Sequence, residues 1–321
     1  MSSKPRIFVT RKLPAPVEAR LLRDYQPMLN PSDKNYSADD IIAGSANCDG
    51  LLPCPSDKLT AAVIDRLPAS IRVVATFSVG YEHIDIAACR ARGITVGNTP
   101  DVLTDATADI ALLLMLGAAR GASEGERLVR SDGWGNWAPT AMLGVHMTGK
   151  RLGIYGMGRI GQAVAKRARA FDMAIHYHNR SRLSGEREQG AIFHAKAEEM
   201  LPHCDFLSIN APSSPETNGF LDARRIAMLP DGAIVVNTAR GPLVDDAALI
   251  SALKSGKLAA AGLDVYTGEP NINRGYHGIK NAFLLPHLGS ATVETRNAMG
   301  FKALDNLDAF FAGRPLPSRV A

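Results

Sequence analysis

Leu152-Gly-Ile-Tyr155-Gly156-Met157-Gly158-Arg159-Ile160-Gly161 is an apolar run that enters a G-x-G-x-x-G turn. The helical stretch Arg159–Phe171 follows it, then a second apolar run, Ala174–His178. Glycine-rich turns are common by themselves. A strand before, a helix after and a second strand beyond make this one read as a dinucleotide loop. Gly156 permits the tight turn, Gly158 lets the backbone approach a pyrophosphate, and Gly161 lets helix and strand pack closely. The start of the helix offers amide donors and partial positive charge to phosphates.

Working outward, the same strand-turn-helix theme recurs on both sides. Short apolar runs stand at Ile7–Thr10, Gly50–Pro53, Val73–Phe77 and Ile94–Val96. Others follow at Phe206–Ile209, Ala233–Asn237, Ala260–Asp264 and Phe283–Leu285. Near-continuous apolar strands alternating with helix-length segments predict an α/β fold with parallel sheets covered on both faces. At 321 residues the chain is long enough for two domains. The turn Asn98-Thr99-Pro100 suggests a boundary near 97/98, with Pro100 opening a helix over Asp101–Arg120. A second domain then runs over 98–286, and the terminal helix Ala291–Ala312 could pack on either one.

Composition excludes several classes. The chain is 46% hydrophobic and 21% charged, so it can bury a sizeable core. Its longest apolar run, Ile110–Ala119, is ten residues, far short of the ~20 that span a bilayer. No membrane association is expected, and the N-terminus lacks a signal-peptide pattern, which points to the cytoplasm. The cysteines, Cys48, Cys54, Cys89 and Cys204, form no CxxC pair, so no metal site is expected and free thiols are. The net charge of +4 is too small to imply nucleic acid. From Lys150 to Arg187, however, nine Lys/Arg face only Asp172 and Glu186, which suggests an anionic ligand there.

The end of the second strand bears on which dinucleotide. An NAD site usually carries Asp or Glu about 20 residues past the loop, on the ribose hydroxyls. Here Asn179-Arg180-Ser181-Arg182 stands in that place. No carboxylate repels a 2′-phosphate, and two guanidiniums and a hydroxyl could bind one, so NADP(H) is expected over NAD(H). Three further polar patches end strands, at Asn237-Thr238-Ala239-Arg240-Gly241, Leu263-Asp264-Val265 and Pro286-His287-Leu288-Gly289-Ser290, with Glu269-Pro270 between the last two. Ligands of open α/β sheets sit at such strand ends. A carbonyl reductase needs a cation for the substrate carboxylate, a proton donor and a group that tunes the donor. Arg240, His287 and Glu269 suit those roles.

These patches, with Ser78-Val79-Gly80-Tyr81-Glu82-His83-Ile84-Asp85 and Asp105-Ala106-Thr107-Ala108-Asp109, resemble the D-2-hydroxyacid dehydrogenase family along nearly the whole chain. Within it they look closest to NADP-dependent glyoxylate/hydroxypyruvate reductases. The resemblance implies a flavodoxin-like substrate domain built from both chain ends (1–97 and 287–321) and a Rossmann-type cofactor domain (98–286). It implies that Arg240 holds the substrate, that His287 is the acid/base paired with Glu269, and that Val79 and Gly80 offer amides to the carboxylate. Ser290 and Trp137 match substrate-side positions, and for Trp137 the alternatives are a reach into the other subunit's site and packing at the subunit interface. Thr107, Gly156–Gly161, Asn179–Arg182, Pro212, Thr217, Thr238, Ala239, Arg240, Asp264, His287 and Gly289 match cofactor-side positions. Among these, Asp264 is the partner of the nicotinamide carboxamide. A homodimer through the helix near 101–120 is implied as well. The expected reaction is NADPH-dependent reduction of a small 2-oxo acid. The alternatives are an NAD-linked D-lactate or sugar-acid dehydrogenase and, from another class, a dinucleotide-sensing corepressor-like protein.

Overall fold

The computed structural model describes residues 4–321. Its contacts divide the chain into unit 1, up to Leu103 together with Ala291–Ala321, and unit 2, Thr104–Ser290. Unit 1 alternates β1 (Arg6–Val9), α1 (Ala15–Asp24), β2 (Gln26–Met28), α2 (Ala38–Gly44), β3 (Gly50–Leu52), α3 (Ala61–Arg66), β4 (Val73–Ala75), α4 (Ile86–Ala91) and β5 (Thr95–Gly97). Unit 2 opens with α5 (Thr104–Ala119) and α6 (Ala122–Arg130), then β6 (Arg151–Tyr155), α7 (Arg159–Arg169), β7 (Ala174–His178), α8 (Gly185–Glu188) and β8 (Ile192–His194). It continues through α9 (Ala197–Met200), β9 (Phe206–Ile209), α10 (Ala223–Met228), β10 (Ala233–Asn237), α11 (Asp246–Ser255), β11 (Leu258–Leu263) and β12 (Ala282–Leu284). The last helix, α12 (Val293–Phe311), belongs to unit 1.

Both sheets are wholly parallel, ordered β2-β1-β3-β4-β5 and β12-β11-β10-β9-β6-β7-β8. Side-chain alternation sorts each sheet between two cores. In unit 1, Ile7 and Val9 of β1 pack with α12 residues Met299, Ala303, Leu304 and Leu307, while Phe8 faces Ile41 and Ile64 on the other side. The C-terminal tail then pairs with β5, where Val320 N–H donates to Val96 O at 2.7 Å. In unit 2 the helix α5 lies against the sheet so closely that two glycines are obligatory. A Cβ on Gly117 would stand 2.2 Å from the Phe283 ring, and one on Gly262 would stand 2.8 Å from the Leu114 backbone.

Several expected boundaries move. Pro100 does not open the long helix: Asp101 adopts a left-handed backbone (φ 77°), and α5 begins only at Thr104. Val102 and Leu103 pack into the unit 1 core, so the contact boundary falls after Leu103 rather than at 97/98. The other boundary falls after Ser290 rather than at 286/287. Two strands have no counterpart in the sequence reading, β2 and β8. Each is three residues at a sheet edge, too short for a period to show, and β2 carries Pro27, which edge strands tolerate. No single helix is long and apolar enough to cross a membrane. All four cysteines are free.

Candidate active site

The chain order of unit 2 reverses between β6 and β9, the adjacent strands from which the sheet is wound in opposite directions. Crevices for ligands open at the carboxyl ends of strands at such a reversal. The Gly loop leaves β6 there. Gly156 (φ 96°) lies so near the segment after β9 that a Cβ would meet Ala211 N at 2.6 Å. A Cβ on Gly161 would meet Gly156 O at 2.4 Å, which fixes the contact of helix and turn. At Gly158 a Cβ would meet nothing within 4 Å, so the loop backbone there faces open space. The N-terminus of α7 carries no side-chain cap. Asn179, at the end of β7, accepts a hydrogen bond from Met157 N–H at 2.6 Å and ties the two strand ends together.

Four strand ends supply the remaining groups. After β9, Asn210 has a buried Oδ1 with no hydrogen-bond partner, and Pro212 O accepts from Thr217 Oγ1 at 2.7 Å. After β10, the Thr238 Oγ1 is likewise buried without a partner. Asn237 Oδ1 accepts from Ala239 N–H, and Asn237 Nδ2 donates to Arg240 O, so the strand-end turn is locked by its own side chain. Gly241 then touches the next strand end: a Cβ would stand 1.9 Å from the Tyr266 carbonyl carbon. That contact brings Arg240 close enough to Glu269 for their charges to interact.

After β11, Glu269 accepts from Tyr266 N–H at 2.7 Å with one oxygen and pairs with His287 Nδ1 at 2.8 Å with the other. Burial pushes the Glu269 carboxyl up, but His287, the Tyr266 amide and Arg240 outweigh it and hold it below the usual value. His287 itself has a left-handed backbone (φ 56°), and its N–H donates to Asp264 O at 2.9 Å. Asp264 is buried, with one carboxylate oxygen on Leu288 N–H (2.6 Å) and the other on Gly289 N–H (2.8 Å). Thr107 Oγ1, in the first turn of α5, donates to Gly289 O at 3.0 Å. Among the residues singled out in unit 2, Thr107, the Gly loop, Asn179, Thr238 to Arg240, Asp264, Glu269, His287 and Gly289 thus stand on one sheet edge or are bonded to it. Trp137 is 80% exposed, in a loop that later runs past the C-terminal end of α5, where Gly144 packs on Ala119 and Val145 N–H donates to Ala119 O.

Residues 112–289 match the family described as "D-isomer specific 2-hydroxyacid dehydrogenase, NAD binding domain". The chain is 46% identical to a glycerate dehydrogenase of Hyphomicrobium methylovorum, across 99% of this chain and 100% of that one. The chain belongs to the D-isomer specific 2-hydroxyacid dehydrogenase family. A solved structure from Polaromonas sp. JS6 66, described as an NAD-binding member, superposes with a TM-score of 0.95 at 45% identity, covering 99% of this chain and 100% of that one. An NADPH-dependent glyoxylate/hydroxypyruvate reductase from Sinorhizobium meliloti, solved with NADP and malonate, gives 0.87 at 34% identity, over 99% and 97%. Unit 2 is therefore a nicotinamide dinucleotide-binding domain, and the enzyme class is D-2-hydroxyacid dehydrogenase.

In unit 1 the segment after β4 is held by its carbonyls. Asn98 Nδ2 donates to Val79 O and Ser78 Oγ to Gly80 O, both at 2.7 Å. In a trans peptide the N–H points opposite the C=O, so anchoring Val79 O aims the Gly80 N–H the other way. Neither Asn98 nor Asn210 was expected in a site role, although each follows an apolar run, as Asn237 does. Tyr266 and Leu288 act through backbone amides, which no sequence signal marks.

The basic segment is less free than its count suggests. Among the described residues, carboxylates hold Arg151 (Asp205), Arg167 (Asp105 and Asp109) and Arg182 (Glu188). The pair at Glu188 corrects the expectation that Arg182 stands ready for a phosphate. Its Nε and Nη2 donate to the two Glu188 oxygens at 2.7 and 3.0 Å, and Tyr177 OH donates to the same carboxylate at 2.5 Å. Those bonds to Arg182 and Tyr177 hold the Glu188 carboxyl down from 4.5 to about 2. A depressed carboxyl stabilises the fold fully above its unfolded value and loses that contribution as pH falls through the folded one. Glu188→Gln is therefore expected to lower Tm at pH 7, with the gap to the parent closing between about pH 4.5 and about pH 2. Thermal unfolding across that range checks this; a gap independent of pH would refute it.

Proposed function

We propose that the chain reduces a small 2-oxo acid, glyoxylate or hydroxypyruvate, to the D-2-hydroxy acid with NADPH. The observation that carries the reading is the His287–Glu269 pair at 2.8 Å, set beside Arg240 on the edge that also bears the Gly loop. The unpartnered Asn210 Oδ1 and Thr238 Oγ1, the open space at Gly158 and the uncapped start of α7 all fit a nicotinamide dinucleotide. Bound there, the cofactor supplies a hydride at nicotinamide C4. Met157, Arg159, Ile160, Pro212, Thr217, Ala239 and Gly289 complete its surroundings in this reading. Asp264 has acceptor capacity beyond its two amide bonds for the carboxamide.

The protein side of the chemistry is proton handling and positioning. The ionised Glu269 accepts a hydrogen bond from His287 Nδ1–H, which leaves Nε2–H of the imidazolium as the proton donor to the substrate carbonyl oxygen. Arg240 presents its fork to the carboxylate, with Nη1 already oriented by Ala239 O at 2.7 Å. Val79 and Gly80 are assigned amide contacts to the same carboxylate, and Ser290 a polar contact to the substrate. The 46% identity to a glycerate dehydrogenase supports the hydroxypyruvate–glycerate couple.

NADP specificity rests on Asn179, Arg180 and Ser181, with no carboxylate among them; Arg182 shapes the loop through Glu188. That engagement of Arg182 is also what favours the second reading, NAD-linked turnover. Initial rates with glyoxylate, hydroxypyruvate and pyruvate, each with NADPH and NADH, decide between them. NADPH is expected to lead by about tenfold or more in kcat/KM, from charge-assisted bonds to the 2′-phosphate. Arg180→Ala should shrink the ratio through KM for NADPH. A parent enzyme that prefers NADH refutes the NADPH assignment.

Substitution of each member tests the catalytic pair. Glu269→Gln removes the charge that faces His287 Nδ1 and should lower kcat for reduction with KM for the dinucleotide unchanged, while His287→Ala should lose about 10²–10⁴-fold. Parental kcat in Glu269→Gln would remove Glu269 from the supporting role, and near-parental activity in His287→Ala would remove the proton donor.

Exposed apolar side chains of unit 2 support self-association. Leu113 and Leu116 on α5, Val129 on α6, and Trp134, Trp137, Met142 and Leu143 in the following loop are all exposed, Trp137 to 80%. Met142 folds back towards Gly125, so the loop packs on α6. A soluble monomer rarely exposes so large an apolar patch, and a homodimer through this face is the reading it supports. Sedimentation velocity should give twice the 34.3 kDa chain mass, falling to the monomer in a Leu113→Glu, Leu116→Glu variant. A monomeric parent would overturn it.

A further inference from the structure

Beside the Gly loop, a cleft of about 210 Å³ lies between α7 and the segment at α8, lined by Met157, Gln162, Ala163, Lys166, Arg169, Arg187 and Gln189. Three cations converge on it. Arg169 donates to Glu188 O at 2.8 Å and to Gln189 Oε1 at 3.3 Å, both neutral acceptors. Arg187 Nε donates to Gln162 Oε1 at 3.3 Å, again a neutral partner. Among the described residues, none of Lys166, Arg169 and Arg187 has a carboxylate partner, whereas Arg167, one position round the same helix, has two. The nearest buried carboxylate, Glu188, is held by Arg182 and Tyr177. Burial with no opposing charge pulls the Arg169 guanidinium below its ordinary value. Like charges packed together repel, and the arrangement is relieved when an anion enters.

We propose that this cleft binds the phosphate of a separate phosphomonoester metabolite, a site apart from the 2′-phosphate contacts assigned above to Asn179, Arg180 and Ser181. Its volume is below the ~300–1,000 Å³ of pockets that enclose a whole small-molecule ligand, so it suits a compact anionic group. Two guanidiniums supply planar forks for phosphate oxygens, and Lys166 a point charge. Gln162 links the cleft to the dinucleotide loop. Its Nε2 donates to Met157 O at 3.2 Å and Gly158 O at 3.0 Å, while its Oε1 accepts from Arg187. An anion that draws Arg187 inward therefore acts on the side chain that holds two carbonyls of the Gly loop.

The test compares the parent with a Lys166→Gln, Arg187→Gln variant, using NADPH, NADH and inorganic phosphate as probes. Turnover reports the integrity of the variant, since neither residue is assigned to substrate or to the dinucleotide. Inorganic phosphate is expected to raise Tm of the cofactor-saturated parent, and the variant to lose that rise while KM for NADPH and for NADH stays unchanged. This outcome does not depend on which dinucleotide the enzyme prefers. A variant with the same phosphate response as the parent overturns the proposal. So does a variant in which KM for NADPH rises about tenfold while KM for NADH stays, since the cleft would then serve the cofactor's own 2′-phosphate.

Discussion

The buried carboxylate of Asp264 holds the active-site edge together. It stands at the end of β11 and binds the amides of Leu288 and Gly289, while its main-chain oxygen binds that of His287. Three consecutive residues of the segment after β12 are thereby fixed to one residue of the neighbouring strand. The carboxyl is pulled both ways: burial raises it, and the two amide bonds and His287 lower it, with burial dominant. His287 has a left-handed backbone, a conformation that costs of order 1–3 kcal/mol for a non-glycine residue and survives only where neighbours determine it. The three hydrogen bonds from Asp264 are that determination, and they set the imidazole against Glu269.

The rest of the edge is built by close backbone approach. A parallel sheet aligns every strand end on one side, yet alignment alone leaves neighbouring turns separated by side chains. Glycine removes that spacing at Gly156, against Ala211, and at Gly241, against Tyr266. The first contact joins the dinucleotide loop to the segment after β9; the second joins Arg240 to the turn that carries Glu269. Short-range locks finish the work, as where Asn237 bonds both Ala239 N–H and Arg240 O.

Charge in this molecule is distributed by the fold rather than by the count. The run from Lys150 to Arg187 carries +7, but acids distant in sequence neutralise part of it, Asp105 and Asp109 from α5 and Asp205 before β9. Glu188, one residue past the run, takes Arg182. Lys166 and Arg169 on α7 and Arg187 on α8 line one cleft without a carboxylate partner among the described residues, and Arg180 stands separately past the end of β7.

Much was legible in the residues. Ten strands, the Gly loop and the polar strand ends follow from local rules: apolar period, glycine backbone freedom, and the place of ligands in parallel sheets. Each needs only a window of neighbours, and Arg240, Glu269 and His287 could be named on that footing together with the resemblance. The start of α5 was misplaced because a left-handed Asp101 outweighed the usual preference for Pro100 at a helix start. Other features were settled only by tertiary structure. The partner of Arg182, the orphaned oxygens of Asn210 and Thr238 and the clamp by Asp264 all depend on how the folded backbone places side chains, which no local window shows. Side-chain type states what a group can bond to; only the folded backbone decides which of its possible partners stands within 3 Å.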